Sequence, residues 1–328
     1  VSEDTQDQIF ICGFEITGSA VRALSWEEVQ AAPDPKEGAF CWYHLNRHSQ
    51  AGEAWLNATG LVPEILCEAL FQAETRPRAL AYEEGLSLNL RGVTPSHEIE
   101  DAELISLSLF ASPKLLITTR ACKLQAADEL RQRLSSGYVP ENTGALVTCL
   151  AHRTIELLEP VVLELDDEVD RLEDDLLDEA TPPPRLMLAK FRRSVVSLRR
   201  YIMPQREAIS NLLRIGERLI GKADMLQLRE TQDRIIRLAE HLDVIRERAQ
   251  GLQEQIAELR ADAMNQRLFA LAIVSAIFLP LGFVTGLFGV NLGGVPGTGS
   301  PLAFTLLCAG MIALTAGLLY WFRRMDWF

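Results

Sequence analysis

The sequence predicts an α/β cytoplasmic domain followed by a long stalk helix and two C-terminal transmembrane helices. Three observations carry that expectation. Before about residue 120, short β-branched or alternating runs are separated by turn residues. From about Asp224 to Pro280 one helical period runs without an internal proline. From Leu268 to Phe322 there is no Asp, Glu, Lys, Arg or His, although 23% of the chain is charged.

The elements follow in order. IFICGFEI, AFCWYHL, RALAYEEG, LSLNLRGV, LISLSLFAS and KLLITTR predict strands. Helices at Gln50–Thr59 and Pro63–Phe71 fall between the second and third, and Pro63 suits a first helical turn. Thr94-Pro95-Ser96 marks a loop. Past residue 123 the pattern is helical: Ala126–Leu134, then a long helix over Thr143–Leu177 stopped by Pro182-Pro183-Pro184, then one from about Arg185 to Leu219. Gly221 marks the next break. The domain boundaries expected are 1–223 for the α/β domain with its helical C-terminal part and 224–267 for the stalk. A first span at 268–289, a periplasmic loop at 290–301, a second span at 302–322 and a tail at 323–328 complete the chain.

The stalk has an apolar heptad stripe from Leu228 to Ala263 in which only Thr231 is polar. Continued to Gly289, the helix is about 100 Å long at ~1.5 Å per residue. Leu268–Gly289 and Leu302–Phe322 are each long enough for a hydrocarbon core of ~30 Å. Arg267 precedes the first, and Arg323 and Arg324 follow the second, so both termini are expected on the cytoplasmic side of a multi-pass membrane protein. Small residues, Gly282 and Gly286 in the first span and Ala309, Ala313 and Gly317 in the second, permit close helix packing.

At 100° per residue the stalk has two faces. Asp233, Glu240, Glu247, Glu254 and Glu258 lie within about 40° of Asn265, opposite the apolar stripe. The same side continues through Leu268, Ala272, Ser275, Leu279, Gly282 and Gly286 to Gly289, while Ala270, Ile273, Ile277, Val284 and Leu287 oppose it. Carboxylates concentrate cations, and small or polar residues leave room for hydrated ions. A cation path results if several copies turn this side to a common axis. A solvated face of a coiled coil accounts for the carboxylates alone.

The net charge of −13 argues against nucleic acid and fits cation handling. The six cysteines form no CxxC pair, and most read as small buried hydrophobes in a reducing cytosol. VSEDTQDQIFICGF lacks the basic and apolar regions of a secretory signal. Cys41, His44 and His48 are close in sequence and form a candidate zinc site, although strand alternation would part Cys41 from His44. His97 with Glu98, Glu100 and Asp101 forms an acidic loop. Glu164–Glu179 holds ten acids and one Arg, a solvated helix face or a cation reservoir. Catalytic signatures are missing: no P-loop, GxSxG, HExxH or GxGxxG before a helix, so an enzyme is not expected.

Met264-Asn265 at the foot of the first span, FLPLGFVTGLFGVN within it, and a two-span C-terminus together resemble the CorA superfamily of divalent-cation transporters. That family carries Gly-Met-Asn at the outer end of the first span and a proline within it. Here Gly289, Val290 and Asn291 occupy the signature and Pro280 matches the proline. Gly-Val-Asn followed by LGGVPG is similar to the ZntB-type zinc-transporter branch. The resemblance implies a homopentameric funnel in the bacterial inner membrane, with the first span lining the pore. It implies Asn291 at the outer mouth, Asn265 at the cytoplasmic side, and transported Zn2+, with Mg2+, Co2+, Ni2+ or Cd2+ as further cargo and protons as a coupling ion. Val290 replaces the methionine, and the connector lacks the acid of magnesium-type members. A magnesium, cobalt or nickel channel of the same architecture stays open, as does a membrane-anchored coiled-coil scaffold.

Overall fold

Seven strands form one mixed sheet: β1 (Phe10–Thr17), β2 (Ala20–Leu24), β3 (Ala39–Asn46), β4 (Arg78–Tyr82), β5 (Gly85–Gly92), β6 (Ile105–Ala111) and β7 (Leu115–Arg120). Their order is β2-β1-β3-β7-β6-β5-β4. β3 and β7 run parallel, and the other neighbours are antiparallel. The computed structural model describes residues 9–72, 76–83, 85–94, 104–177, 185–290 and 301–325. The chain divides into two compact units, Val1–Gln253 and Glu254–Phe328.

β3, β6 and β7 are buried along their whole length, which explains why they read as unbroken apolar runs. On one face, Cys41, Tyr43, Leu45 and Ile117 pack with Leu56 of α2 (Gln50–Thr59) and with Leu66, Cys67 and Leu70 of α3 (Glu64–Phe71). The register places Trp42, His44, Thr118 and Gly92 on the other face. A Cβ on Gly92 would come within 2.6 Å of Leu124 and 3.3 Å of Thr154, so α5 (Thr143–Glu156) and the start of α4 (Gln125–Ser135) cover that face. Gly144 of α5 permits another close approach, since a Cβ there would lie 2.2 Å from the carbonyl of Leu219.

Six of the seven strands coincide with the sequence expectation. The unexpected one, β2, is a solvent-facing edge strand without apolar alternation, joined to β1 by the two-residue turn Gly18-Ser19. A short helix, α1 (Trp26–Ala31), also went unpredicted, although Ser25 and Glu28 form a capping box visible in the sequence. Pro63 stands at the N-cap of α3, one residue before its first helical position.

The single long helix expected over Thr143–Leu177 is two, α5 and α6 (Glu159–Leu177). Pro160 has no N–H for the carbonyl of Glu156, which breaks the hydrogen-bond ladder there. α7 (Arg185–Ile215) contains Pro204 without ending at it, and closes in a 3₁₀ turn at Gly216–Arg218. α8 (Lys222–Gly289) is continuous for 68 residues and α9 (Pro301–Arg324) for 24. Both are long and apolar enough to cross a membrane.

Candidate functional site

In the first unit, α8 buries its heptad stripe, including Leu228, Ile235, Leu242, Ile245 and Leu252. The partners belong to the same chain. Thr231 Oγ1 sits 2.9 Å from Nδ1 of His152 on α5, and its hydroxyl donates to the carbonyl of Gln227. Those bonds satisfy the one polar group in the stripe. Gln232 donates to Ser210 of α7, and Arg199 of α7 pairs with Asp243 at 2.6 Å. The heptads are therefore used, in this part of the helix, for packing inside one protomer.

The opposite side carries Asp233, Glu240 and Glu247, all exposed and all without an ion pair among the described residues. Arg248, a neighbour able to neutralise Glu247, turns away. Its guanidinium meets Asp170 and Glu173 at 2.5 Å and Asp166 at 3.1 Å, all on α6. Hydrogen bonds to Glu173 and Asp170 push its pKa up. His241 adds a contact to Asp166 at 3.0 Å. Three acids of the run beginning at Glu164 thus fasten α6 to α8 and are occupied by a fixed cation. Of that run, residues 178 and 179 lie outside the described residues.

In the second unit, Glu254, Glu258 and Asn265 are exposed. So are Leu268, Ala272, Ser275, Leu279, Gly282, Gly286 and Gly289, with Leu279 78% exposed. The covered stripe of α8 contains Ile273, which is 8% exposed, with Ile277, Pro280, Leu281 and Val284 partly covered. At 100° per residue that stripe lies about opposite the small-residue stripe. On α9 the covered positions Leu307, Met311, Thr315, Leu318 and Phe322 recur at helical spacing. Each helix therefore has one sheltered side. Ala270 and Leu287, expected on the sheltered side of α8, stay exposed.

A Cβ at Gly282, Gly286 or Gly289 would meet nothing within 4 Å among the described residues. The same holds for Gly317 on α9. These glycines do not bring α8 and α9 together within one chain, as close packing of the hairpin would need. They leave open space on an uncovered side. Ser275 Oγ donates to the carbonyl of Leu271 at 2.8 Å, which leaves its oxygen lone pairs to accept. Pro280 has no N–H to give the carbonyl of Ala276, so that oxygen loses its helical partner.

Gly289 is the last residue of α8 and Val290 follows it, exposed. Asn291, the connector to residue 300, and the acidic loop around His97 lie outside the described residues. The zinc site considered at Cys41, His44 and His48 is not assembled. Cys41 faces α2 and α3, His44 is buried on the opposite face, and His48 is exposed. Thr118 Oγ1 holds His44 Nδ1 at 2.6 Å. Burial, followed by Arg120, pushes the imidazole pKa well below its usual value, so it is neutral. Among the described residues no three His, Cys, Asp or Glu side chains are grouped to hold a metal. Cys308 is partly buried on α9.

Residues 37–324 match the family described as CorA-like Mg2+ transporter protein. The chain belongs to the CorA family. Its members are ion transporters, not enzymes. The zinc transport protein ZntB of Pectobacterium carotovorum subsp. carotovorum (strain PC1) is 35% identical over 289 residues, 88% of each chain. The solved full-length CmaX protein is 32% identical, covers 98% of this chain and 99% of its own, and superposes with a TM-score of 0.82. The complete CorA magnesium transporter of Methanocaldococcus jannaschii shares the fold, with a TM-score of 0.80 at 20% identity over 98% of this chain and 100% of its own.

In this CorA-family chain, sequence reasoning missed the arginine that anchors the stalk. The spacing of Asp166, Asp170 and Glu173 puts three acids on one helical face, a signal that some cation faces them. Only the fold identifies that cation as Arg248, 75 residues beyond Glu173.

Proposed function

We propose that this CorA-family chain carries divalent cations, zinc first among them, across a bacterial inner membrane through an axis shared by five copies. α8 lines the path and both termini are cytoplasmic. One observation carries the reading. The stripe from Asn265 through Ser275 and Gly282 to Gly289 is wholly uncovered in one chain, open at every glycine, and opposite the covered side of α8. A lipid-facing stripe has no use for an amide, a hydroxyl and three glycines with empty space above them. Turned to a common axis, they accept hydrogen bonds from a hydrated ion, and Leu268 and Leu279 supply apolar constrictions that gate by dewetting.

Asp233, Glu240 and Glu247, joined by Glu254 and Glu258, raise the cation concentration at the cytoplasmic entrance. Gly289, Val290 and Asn291 form the outer mouth, where a ring of neutral amides receives the hydrated ion without binding it as a carboxylate would. Zinc is favoured by the likeness to proteins named for zinc transport and by the uncharged connector. Proton-coupled uptake is the mode proposed.

The test is metal uptake into liposomes holding the purified chain, with and without a pH gradient and with magnesium as competitor. Zinc uptake that rises with an inward proton gradient and resists magnesium supports the reading. Magnesium, cobalt or nickel flux without zinc flux selects the channel alternative, and no flux of any metal removes transport. Asn291→Ala is expected to abolish zinc flux while the detergent-solubilised mass stays that of the parent oligomer.

A further inference from the structure

We propose that the cavity at the carboxyl ends of β3 and β7 is a binding site for the phosphate group of a small ligand. β3 and β7 are the parallel pair of the sheet. After β3 the chain passes to α2 on one face, and after β7 to α4 on the other. Strands diverging to opposite faces leave a crevice beyond their carboxyl ends, where ligands of open α/β sheets bind. The cavity there measures about 430 Å³, within the size range of small-molecule sites. The pairing of β1 with β3 skips Ile11, and that unpaired residue forms part of the wall.

The polar lining is Asn46, Arg120, Lys123, Asp128, Arg131 and Gln132. Three cations face one carboxylate, a local surplus of two positive charges in a chain whose net charge is −13. Arg120 is 6% exposed. Its Nη1 is ion-paired with Asp128 Oδ1 at 2.9 Å but is not aligned for a hydrogen bond and makes none among the described residues. Arg131 reaches the same oxygen at 3.9 Å. The buried Arg120 guanidinium therefore lacks a full set of partners, which is costly, whereas Arg131 is partly exposed to solvent.

A dianion resolves both the charge surplus and this shortfall. Phosphate matches the surplus in charge and the fork of Arg120 in geometry, whereas a carboxylate supplies half the charge and a metal ion is repelled. The residue at the N-cap of α4, Leu124, offers no side-chain acceptor to the first-turn amides. The segment leading into that turn, Ala121–Lys123, lines the cavity, which sets the positive end of the α4 dipole near the anion.

Calorimetry on the full chain in detergent, with inorganic phosphate, AMP and ADP as probes, tests the site. Wild-type chain is expected to bind phosphate-bearing probes, and Lys123→Ala/Arg131→Ala to bind them roughly tenfold or more weakly. Both replaced side chains are at least partly exposed, so the fold is expected to persist. A probe-induced rise in Tm present in wild type and lost in the variant checks this independently. Nucleotide binding tighter than phosphate identifies a nucleotide ligand, and equal or weaker binding identifies free phosphate. No binding of any probe, or equal binding by the variant, overturns the proposal. Metal flux enters none of these measurements, so the result stands apart from the transport reading.

Discussion

Gly286→Leu separates a path-lining stripe from a lipid-facing one. A Cβ at Gly286 meets nothing within 4 Å among the described residues of a single chain, so the first atom of a larger side chain has room inside the protomer. Leucine also suits a helix better than glycine, by about 0.8 kcal/mol. The hairpin of α8 and α9 is therefore expected to fold at least as well as the parent. If the stripe faces a shared axis, every copy contributes an isobutyl group at one level, and an opening sized for a hydrated ion becomes a dry constriction. A barrier higher by about 1.4 kcal/mol lowers flux tenfold, and one such group from every copy is expected to exceed that. The assay is zinc uptake into proteoliposomes, paired with the solution mass of the detergent-solubilised oligomer. Flux within twofold of wild type, from an oligomer of unchanged mass, would refute the assignment of this side to the path.

Three further outcomes follow from the same structure. Arg248→Met keeps the stem and removes the cation facing Asp166, Asp170 and Glu173. The unfolding midpoint is expected to fall by an amount worth about 1–3 kcal/mol, less at high salt because the cluster is partly exposed. Asp233→Asn/Glu240→Gln/Glu247→Gln is expected to lower zinc flux severalfold at low ionic strength and little at high, since those carboxylates act through a screened field. A flux loss independent of salt would mean direct ligation. Arg153, through its hydrogen bonds, holds Glu129 and Glu156 below the usual carboxylate pKa of 4.5. Their folded pKa values are depressed, so their contribution is present above pH 4.5 and lost as pH falls through the lowered values. Arg153→Met is expected to flatten the acid limb of the stability curve.

The stalk and the spans were legible because their signals are periodic and long. An uninterrupted 3.6-residue period and two uncharged runs have few alternative structures. The central strands were legible for a similar reason, since burial on both faces demands unbroken apolar runs. β2 was not, because an edge strand facing water need not alternate, and its hydrogen bonds come from β1. The break between α5 and α6 was signalled by Pro160 alone and was hidden by apolar positions that keep the same phase on either side. The zinc ligands considered at Cys41, His44 and His48 were close in sequence, but strand alternation sends the first two to opposite faces.

By itself the sequence determined six of the strands, the two faces of α8 and the family. All three rest on local properties: residue volume, charge, and spacing along one helix or strand. Only the tertiary structure decided which face is covered and what meets each charge. The heptad stripe lies against α5 and α7 of its own chain, Arg248 lies against α6, and the glycine side is left open. Those outcomes depend on residues tens of positions apart meeting in space, and no local period encodes which of several compatible partners arrives.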